Sequence, residues 1–187
     1  MRCFVAIDVD ELILSEFEKL QSELRESVEV KKGKVKWVKP HAVHLTLKFL
    51  GEVKDTDVPA ICEVVREVAA EHSPFELVVE SVGSFGGRSP RVLWVGMGEG
   101  REKLEALQGQ IDEQLVDLGF RQENRKFRGH LTLIRSKAAG FKLKEAAEDY
   151  KEYSLGSFRA DSVCVYESNL TKAGPEYNVL CNYSLAG

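Results

Sequence analysis

The sequence has no long apolar run. None of its 187 residues belongs to a stretch approaching the roughly 20 apolar residues that a membrane-spanning helix needs. Acidic residues appear within the first ten positions, before a signal-like apolar segment could develop. We therefore expect neither a membrane protein nor a secreted one.

The sequence also lacks closely spaced cysteines. Its four cysteines lie far apart and form no Cys-x-x-Cys pair, a spacing that favours neither a zinc site nor a disulfide framework. No motif asks for a metal or another cofactor. The sequence therefore predicts a cytoplasmic protein in which all four cysteines are buried, reduced thiols: Cys3, Cys62, Cys164 and Cys181.

The net charge of −4 hides an uneven distribution. Residues 30–51 hold six lysines and no acid, and residues 121–137 hold six basic residues against Glu123 alone. Two basic segments in an otherwise acidic chain are typical of a localised anion site. Either segment alone could equally be a solvated charged surface.

Hydrophobic periodicity predicts an α+β protein. Strand-like runs cover 2–8, 35–39, 43–50, 75–82, 91–97, 127–134, 157–166 and 177–185, and helical patterns cover about 11–24, 57–68, 101–118 and 142–150. The Gly- and Ser-rich stretch 81–90 reads as a flexible turn. The order of elements in the first half returns in looser form in the second, which predicts a single domain over 1–187 built from two similar lobes.

One tetrapeptide, HLTL, occurs twice, at 44–47 and at 130–133, and uses two of only four histidines. Within an alternating strand the histidine and threonine point to one face and the leucines to the other. Core packing requires only the two leucines. The repetition of His and Thr therefore points to function, although a single histidine in a strand is more often an ordinary surface or hydrogen-bonded residue.

Two facing histidines suit acid and base catalysis. An imidazole titrates near neutral pH, so one histidine can accept a proton while the other donates one. Each threonine hydroxyl could hold a phosphate oxygen, and the basic segments would stabilise growing negative charge. This combination fits attack on a phosphodiester without a metal ion.

Two other motifs are weaker. His41 and His44 have metal-ligand spacing, but no third ligand is evident. The glycine-rich run 96–100 lies between a strand and a helix, as in phosphate-binding turns, but it lacks the P-loop lysine and carries Glu99. We interpret it as a plain turn.

Five segments together resemble the two-histidine phosphoesterase superfamily, and within it the RNA 2',3'-cyclic phosphodiesterases of bacteria and archaea, historically named 2'-5' RNA ligases. They are WVKP from Trp37, HLTLKFLGEV from His44, RVLWVG from Arg91, KFRGHLTLIR from Lys126 and ESNLTKAGPEY from Glu167. The sequence departs from the family at Gly129, where proline is frequent.

The resemblance implies two lobes with mainly antiparallel sheets and flanking helices around a central cleft, and hydrolysis of RNA 2',3'-cyclic phosphate ends to 2'-phosphates. It implies that His130 is the proton acceptor, that His44 is the proton donor, and that Thr46 and Thr132 bind phosphate oxygens. Arg135 matches a family arginine, although strand parity does not place it on the face of His130. Trp37 and Phe127 are candidates for stacking on bases or for core packing.

Three functions stay open at this point. The first is the metal-independent phosphodiesterase, with 2'-5' ligation as its reverse. The second is a noncatalytic module that binds RNA ends. The third is a phosphodiesterase of small cyclic nucleotides, such as ADP-ribose 1'',2''-cyclic phosphate, or of 2',5'-oligoadenylate. We expect a monomer whose partner is RNA with a 2',3'-cyclic phosphate end.

Overall fold

A computed structural model of the chain describes residues 1–27, 35–87, 90–137, 143–172 and 174–187. Nine strands appear in these ranges: β1 (Arg2–Ile7), β2 (Val35–Trp37), β3 (Leu45–Glu52), β4 (Phe75–Phe85), β5 (Val92–Met97), β6 (His130–Ser136), β7 (Ser154–Ala160), β8 (Ser162–Thr171) and β9 (Gly174–Ser184). They form two antiparallel sheets, ordered β3-β1-β8-β9 and β2-β6-β5-β4-β7. The predicted α+β class is confirmed.

Four α-helices flank the sheets in the described ranges: α1 (Glu11–Ser27), α2 (Val58–Glu71), α3 (Arg101–Gln114) and α4 (Leu143–Asp149). The helix predicted from about residue 11 is confirmed. The Asp10 carboxylate caps its N-terminus by accepting a hydrogen bond from the Ile13 amide at 2.8 Å. Ile13 is buried and Leu12 is 75% exposed, so the apolar face of α1 begins at Ile13.

The two sheets share one hydrophobic core, and the motif strands β3 and β6, one from each sheet, contact each other. Helix α2 packs on β9, and α4 packs on β4. The chain thus brings both HLTL segments to the junction of the two sheets. No helix within the described ranges is long and apolar enough to cross a membrane.

Two strand predictions were wrong. The segment 157–166 is two strands, because the chain leaves the second sheet at Ala160 and joins β1 in the first sheet as β8. Strand β4 continues to Phe85, although glycines there suggested a turn. Gly83 is small for packing reasons, since a Cβ at this position would lie 2.4 Å from the Trp94 ring.

The glycine-rich run after β5 is a strand-to-helix turn, as interpreted. A Cβ on Gly98 would clash with the Glu80 carboxylate, and one on Gly100 would lie 2.1 Å from the Glu76 carbonyl oxygen. The backbone of β4 and a φ of +88° therefore require glycine at position 100, whereas the contact at position 98 is with the movable end of the Glu80 side chain.

The prediction of four reduced thiols was wrong for one pair. Cys62 in α2 and Cys181 in β9 form a disulfide with a Cα–Cα distance of 6.2 Å, in the ordinary range for such bonds. The two positions are 119 residues apart in the chain, so spacing could not reveal the pair. Cys3 and Cys164 are buried free thiols, as expected.

Candidate active site

A cleft of about 480 Å³ opens between the two sheets. His44 and Thr46 line it from the first sheet, and Thr132 and Arg135 line it from the second. His130 is not part of the cleft wall, but it lies two residues before Thr132 on the same strand. The fold therefore brings four of the five predicted site residues to one cavity and places the fifth beside it.

His44 lies just before β3 in an aromatic pocket, with its side chain 13% exposed. The rings of Phe4, Tyr166 and Tyr177 surround it, with centroid distances of 5.9, 4.7 and 5.0 Å. Burial lowers the pKa of His44, while the Asp8 carboxylate and the Ala42 carbonyl oppose that shift.

Asp8 is a site residue that the sequence analysis missed. It follows β1, and its Oδ1 lies 3.6 Å from His44 Nε2. The Tyr166 hydroxyl donates to the same Oδ1 at 2.5 Å, and Cys164 Sγ lies 3.7 Å from Oδ2. The sequence shows only an acid at the end of a buried strand. Nothing in it connects position 8 with position 44.

His130 has a defined tautomer. Its Nδ1 lies 2.7 Å from the Arg128 carbonyl oxygen, which can only accept, so Nδ1–H is the donor. In the neutral ring, Nε2 is then unprotonated and able to accept a proton. Burial lowers the pKa of His130 and Arg135 lowers it further, against an opposing effect of the Arg128 carbonyl. The rings of Phe85 and Trp94 pack against the imidazole.

A bulge explains how Arg135 reaches the cleft. Trp94 and Leu93 of β5 pair with Thr132 and Ile134 of β6. This pairing leaves Leu133 of β6 as an extra residue. Leu133 and Ile134 are both buried, so Arg135 emerges on the face of Thr132. Strand parity argued against this placement because it assumed a regular strand.

The first motif is followed by a bulge at the same place. Ala6 and Val5 of β1 pair with Thr46 and Lys48 of β3. This pairing leaves Leu47 of β3 as the extra residue. Phe49 then emerges 74% exposed at the cleft, in the position that corresponds to Arg135.

The lysines and aromatics predicted for the site divide into two groups. Lys36, Lys39 and Trp37 line the cleft, and Arg25 lies over the Trp37 ring at 4.7 Å. Lys48 is buried and pairs with Asp112, so it does not face the cleft. Phe127 packs against the core rather than lining the cleft. Residues 31, 32 and 34 of the first basic segment lie outside the described residues.

No cluster of three potential metal ligands occurs within the described part of the chain. His41 lines the cleft, and His72 instead meets Gln110 at 2.7 Å.

The family model of the 2'-5' RNA ligase superfamily matches residues 13–172. The chain belongs to this superfamily. A relative named RNA 2',3'-cyclic phosphodiesterase from Archaeoglobus fulgidus is 38% identical over 181 residues, covering 96% of this chain and 98% of the relative. One of the same name from Methanothermobacter thermautotrophicus is 35% identical over 180 residues, covering 95% of each chain.

Solved structures show the same superfamily fold. TT0787 of Thermus thermophilus aligns with a TM-score of 0.79 and 27% identity, covering 100% of this chain and 99% of the other. Escherichia coli LigT in complex with 3'-AMP aligns with a TM-score of 0.76 and 24% identity, covering 100% and 98% of the two chains. The latter likeness concerns the fold alone.

Within the superfamily, the departure at Gly129 has a local reason in this chain. A Cβ there would lie 2.6 Å from Leu104 Cδ2 and 3.1 Å from Met97 Cγ. The space before the second motif is filled by the core side chains of α3 and β5, so Gly129 fits where a larger residue would require Leu104 to move.

Proposed function

We propose that this protein hydrolyses the 2',3'-cyclic phosphate at RNA 3' ends and leaves a 2'-phosphate. The observation that carries the proposal is that two identical motifs, one from each sheet, flank a single cleft: His44, Thr46 and Thr132 line it, and His130 lies beside it. The names of the relatives support the same reaction. We further propose that the two lobes are repeats of one unit, since each motif is followed by the same bulge.

In the proposed reaction His130 is the base. Its Nε2 removes a proton from water, and the water oxygen attacks phosphorus. The P–O3' bond then breaks, and the 3'-oxygen takes a proton from His44. The result is a free 3'-hydroxyl and a 2'-phosphate, and the two histidines have exchanged protonation states. The Arg128 carbonyl supports this assignment because it holds the other His130 nitrogen in the protonated form.

Thr46, Thr132 and Arg135 would bind the nonbridging phosphate oxygens. Hydroxyl and guanidinium donors to a charged oxygen each contribute about 1.5–3 kcal/mol, and the contribution grows as the transition state gains charge. Lys36 and Lys39 on the cleft wall give the RNA backbone a positive surface. We propose that the protein acts as a monomer in the cytoplasm and needs no metal ion.

The histidine variants test this function. We expect His44→Ala and His130→Ala each to lower the rate on a short RNA with a 2',3'-cyclic end by roughly 10²- to 10⁴-fold, the usual value of a positioned acid or base. His72→Ala is the matched control, since His72 lies outside the cleft, and it should retain wild-type activity. Tight, salt-sensitive binding of the cyclic end without turnover by the wild type would instead indicate a noncatalytic module. If the protein cleaves only small cyclic nucleotides, these nucleotides rather than RNA ends are its substrates.

A further inference from the structure

We propose that Asp8, held in place by Tyr166, is a positioning residue whose carboxylate faces His44 Nε2 and favours the protonated ring that the acid of the reaction requires. This inference rests on the proposed function. It concerns a carboxylate that neither motif contains. Asp8 is half exposed beside His44, and the buried side chains of Tyr166 and Cys164 contact it from within the fold.

The geometry suits an electrostatic partner. Asp8 Oδ1 lies 3.6 Å from His44 Nε2, which is close enough to favour the imidazolium but too long for a hydrogen bond. The Nε2–H group therefore stays available for an oxygen of the substrate. A shorter contact would compete with the leaving group for the same proton.

Two side chains hold the Asp8 carboxylate in place. The Tyr166 hydroxyl donates to Asp8 Oδ1, and Cys164 Sγ approaches Oδ2. Burial raises the pKa of Tyr166, and Asp8 adds to that shift, so the phenol stays protonated and serves as a donor. Burial likewise raises the pKa of Cys164 to about 11, and its thiol is neutral at physiological pH. The phenol and the thiol thus act as uncharged donors toward Asp8.

The aromatic rings that pack against His44 carry no charge. Phe4 comes from β1, Tyr166 from β8 and Tyr177 from β9, and burial raises the pKa of Tyr177 too. Among the residues that the structure describes, Asp8 is the charged group that shifts the pKa of His44. Burial, the larger effect, lowers the pKa of His44, and the Asp8 charge limits the resulting loss of imidazolium.

The second histidine has the opposite neighbour. Burial lowers the pKa of both histidines; Arg135 lowers that of His130 further, whereas Asp8 opposes the shift at His44. A base must be unprotonated and an acid protonated in the same active molecule, so the two charges separate the pKa values in the required directions. The two motifs are identical in sequence, and their surroundings distinguish the roles.

The test is the pH dependence of kcat/KM for Asp8→Asn, Asp8→Glu and Tyr166→Phe. Loss of the carboxylate charge lowers the pKa of His44, so the fall in rate at high pH should begin about one unit lower in Asp8→Asn. The rate at pH 8 should drop about tenfold while the rate near pH 6 changes less. Asp8→Glu should restore part of the profile, and Tyr166→Phe should lie between. The exposed Asp117→Asn variant is the matched control and should keep the wild-type profile.

An NMR titration of the His44 ring in wild type and Asp8→Asn provides a readout without turnover. A lower pKa for His44 in the variant is expected. If this pKa falls but the wild type does not act on cyclic RNA ends, the pairing stands and the proposed function fails. If the wild type is active and both the titration and the rate profile are unchanged in Asp8→Asn, the inference is overturned. Because Asp8→Asn preserves shape and Asp8→Glu preserves charge, a folding defect in one leaves the other as the test.

Discussion

Charge at the scale of single residues separates two histidines that the sequence cannot distinguish. Each lies in the same tetrapeptide, and each has a backbone carbonyl two residues earlier that acts on its pKa, Ala42 for His44 and Arg128 for His130. The repeated motif was therefore sufficient to find both histidines and threonines. It was insufficient for Asp8, whose role depends on β1 lying beside β3.

Arg135 gives a prediction at this scale. Its charge lowers the pKa of His130, so Arg135→Gln should raise that pKa. The base would then stay protonated to a higher pH, and the low-pH limb of kcat/KM should shift upward. Loss of a phosphate donor should also reduce kcat/KM about 10- to 100-fold at the pH optimum. The control is Arg66→Gln, which removes an exposed arginine paired with Glu63. An unchanged low-pH limb in Arg135→Gln would contradict the assigned interaction.

At the scale of elements, the site depends on the two bulged strands. The Leu133 carbonyl at the second bulge accepts from the Val38 amide at 3.1 Å and from the buried Gln21 side chain at 3.1 Å. Two hydrogen bonds thus satisfy this carbonyl, one from the residue that follows β2 and one from α1. Sequence patterns predicted most strands and helices. They could not predict a bulge, because the alternation of polar and apolar residues along a strand does not mark it reliably. The placement of Arg135 and Phe49 therefore required the structure.

The bulge in β3 also explains a buried lysine. Lys48 is 8% exposed and Asp112 is 5% exposed, and the two form an ion pair between β3 and α3. Lys48 Nζ also donates to the Arg121 carbonyl at 2.9 Å, and the Asp112 carboxylate accepts the Glu123 amide at 3.0 Å. Counting charges along the sequence assigned Lys48 to the anion site because a regular strand gives no reason to bury it.

Removing one partner of this pair should destabilise the protein. Lys48→Met leaves Asp112 charged and buried, and we expect the free energy of unfolding to fall by about 3–5 kcal/mol. The double variant Lys48→Met/Asp112→Asn should recover part of the loss, since no unpaired charge remains. Urea unfolding followed by circular dichroism gives both values. A loss below about 1 kcal/mol in Lys48→Met would show that the pair contributes little.

For the whole molecule, the disulfide joins parts of the chain that only the fold brings together. Cys62 and Cys181 connect α2 to β9, the edge strand of the first sheet. Periodicity predicted the α+β class because it depends on local sequence patterns. The resemblance implied two sheets around a cleft because it depends on short sequence motifs. Cysteine pairing depends on three-dimensional neighbours, and the usual rule for cytoplasmic proteins gave the wrong answer.

Breaking this bond should reduce stability. The disulfide links residues 119 positions apart, and closing a loop of this size restricts the unfolded chain strongly. We expect reduction to lower the free energy of unfolding by about 2–5 kcal/mol. The Cys62→Ala/Cys181→Ala variant is the control, in which reductant should have no further effect. Equal urea midpoints for the oxidised and reduced wild type would contradict the prediction.

The identity of the reaction product distinguishes hydrolysis of a cyclic phosphate to a 2'-phosphate from other reactions at an RNA end. The wild-type protein would be incubated with a short RNA ending in a 2',3'-cyclic phosphate, with EDTA present, and the position of the phosphate in the product determined. We expect a 2'-phosphate and a free 3'-hydroxyl, formed at the same rate with and without EDTA. A 3'-phosphate, or activity that EDTA abolishes, would contradict it.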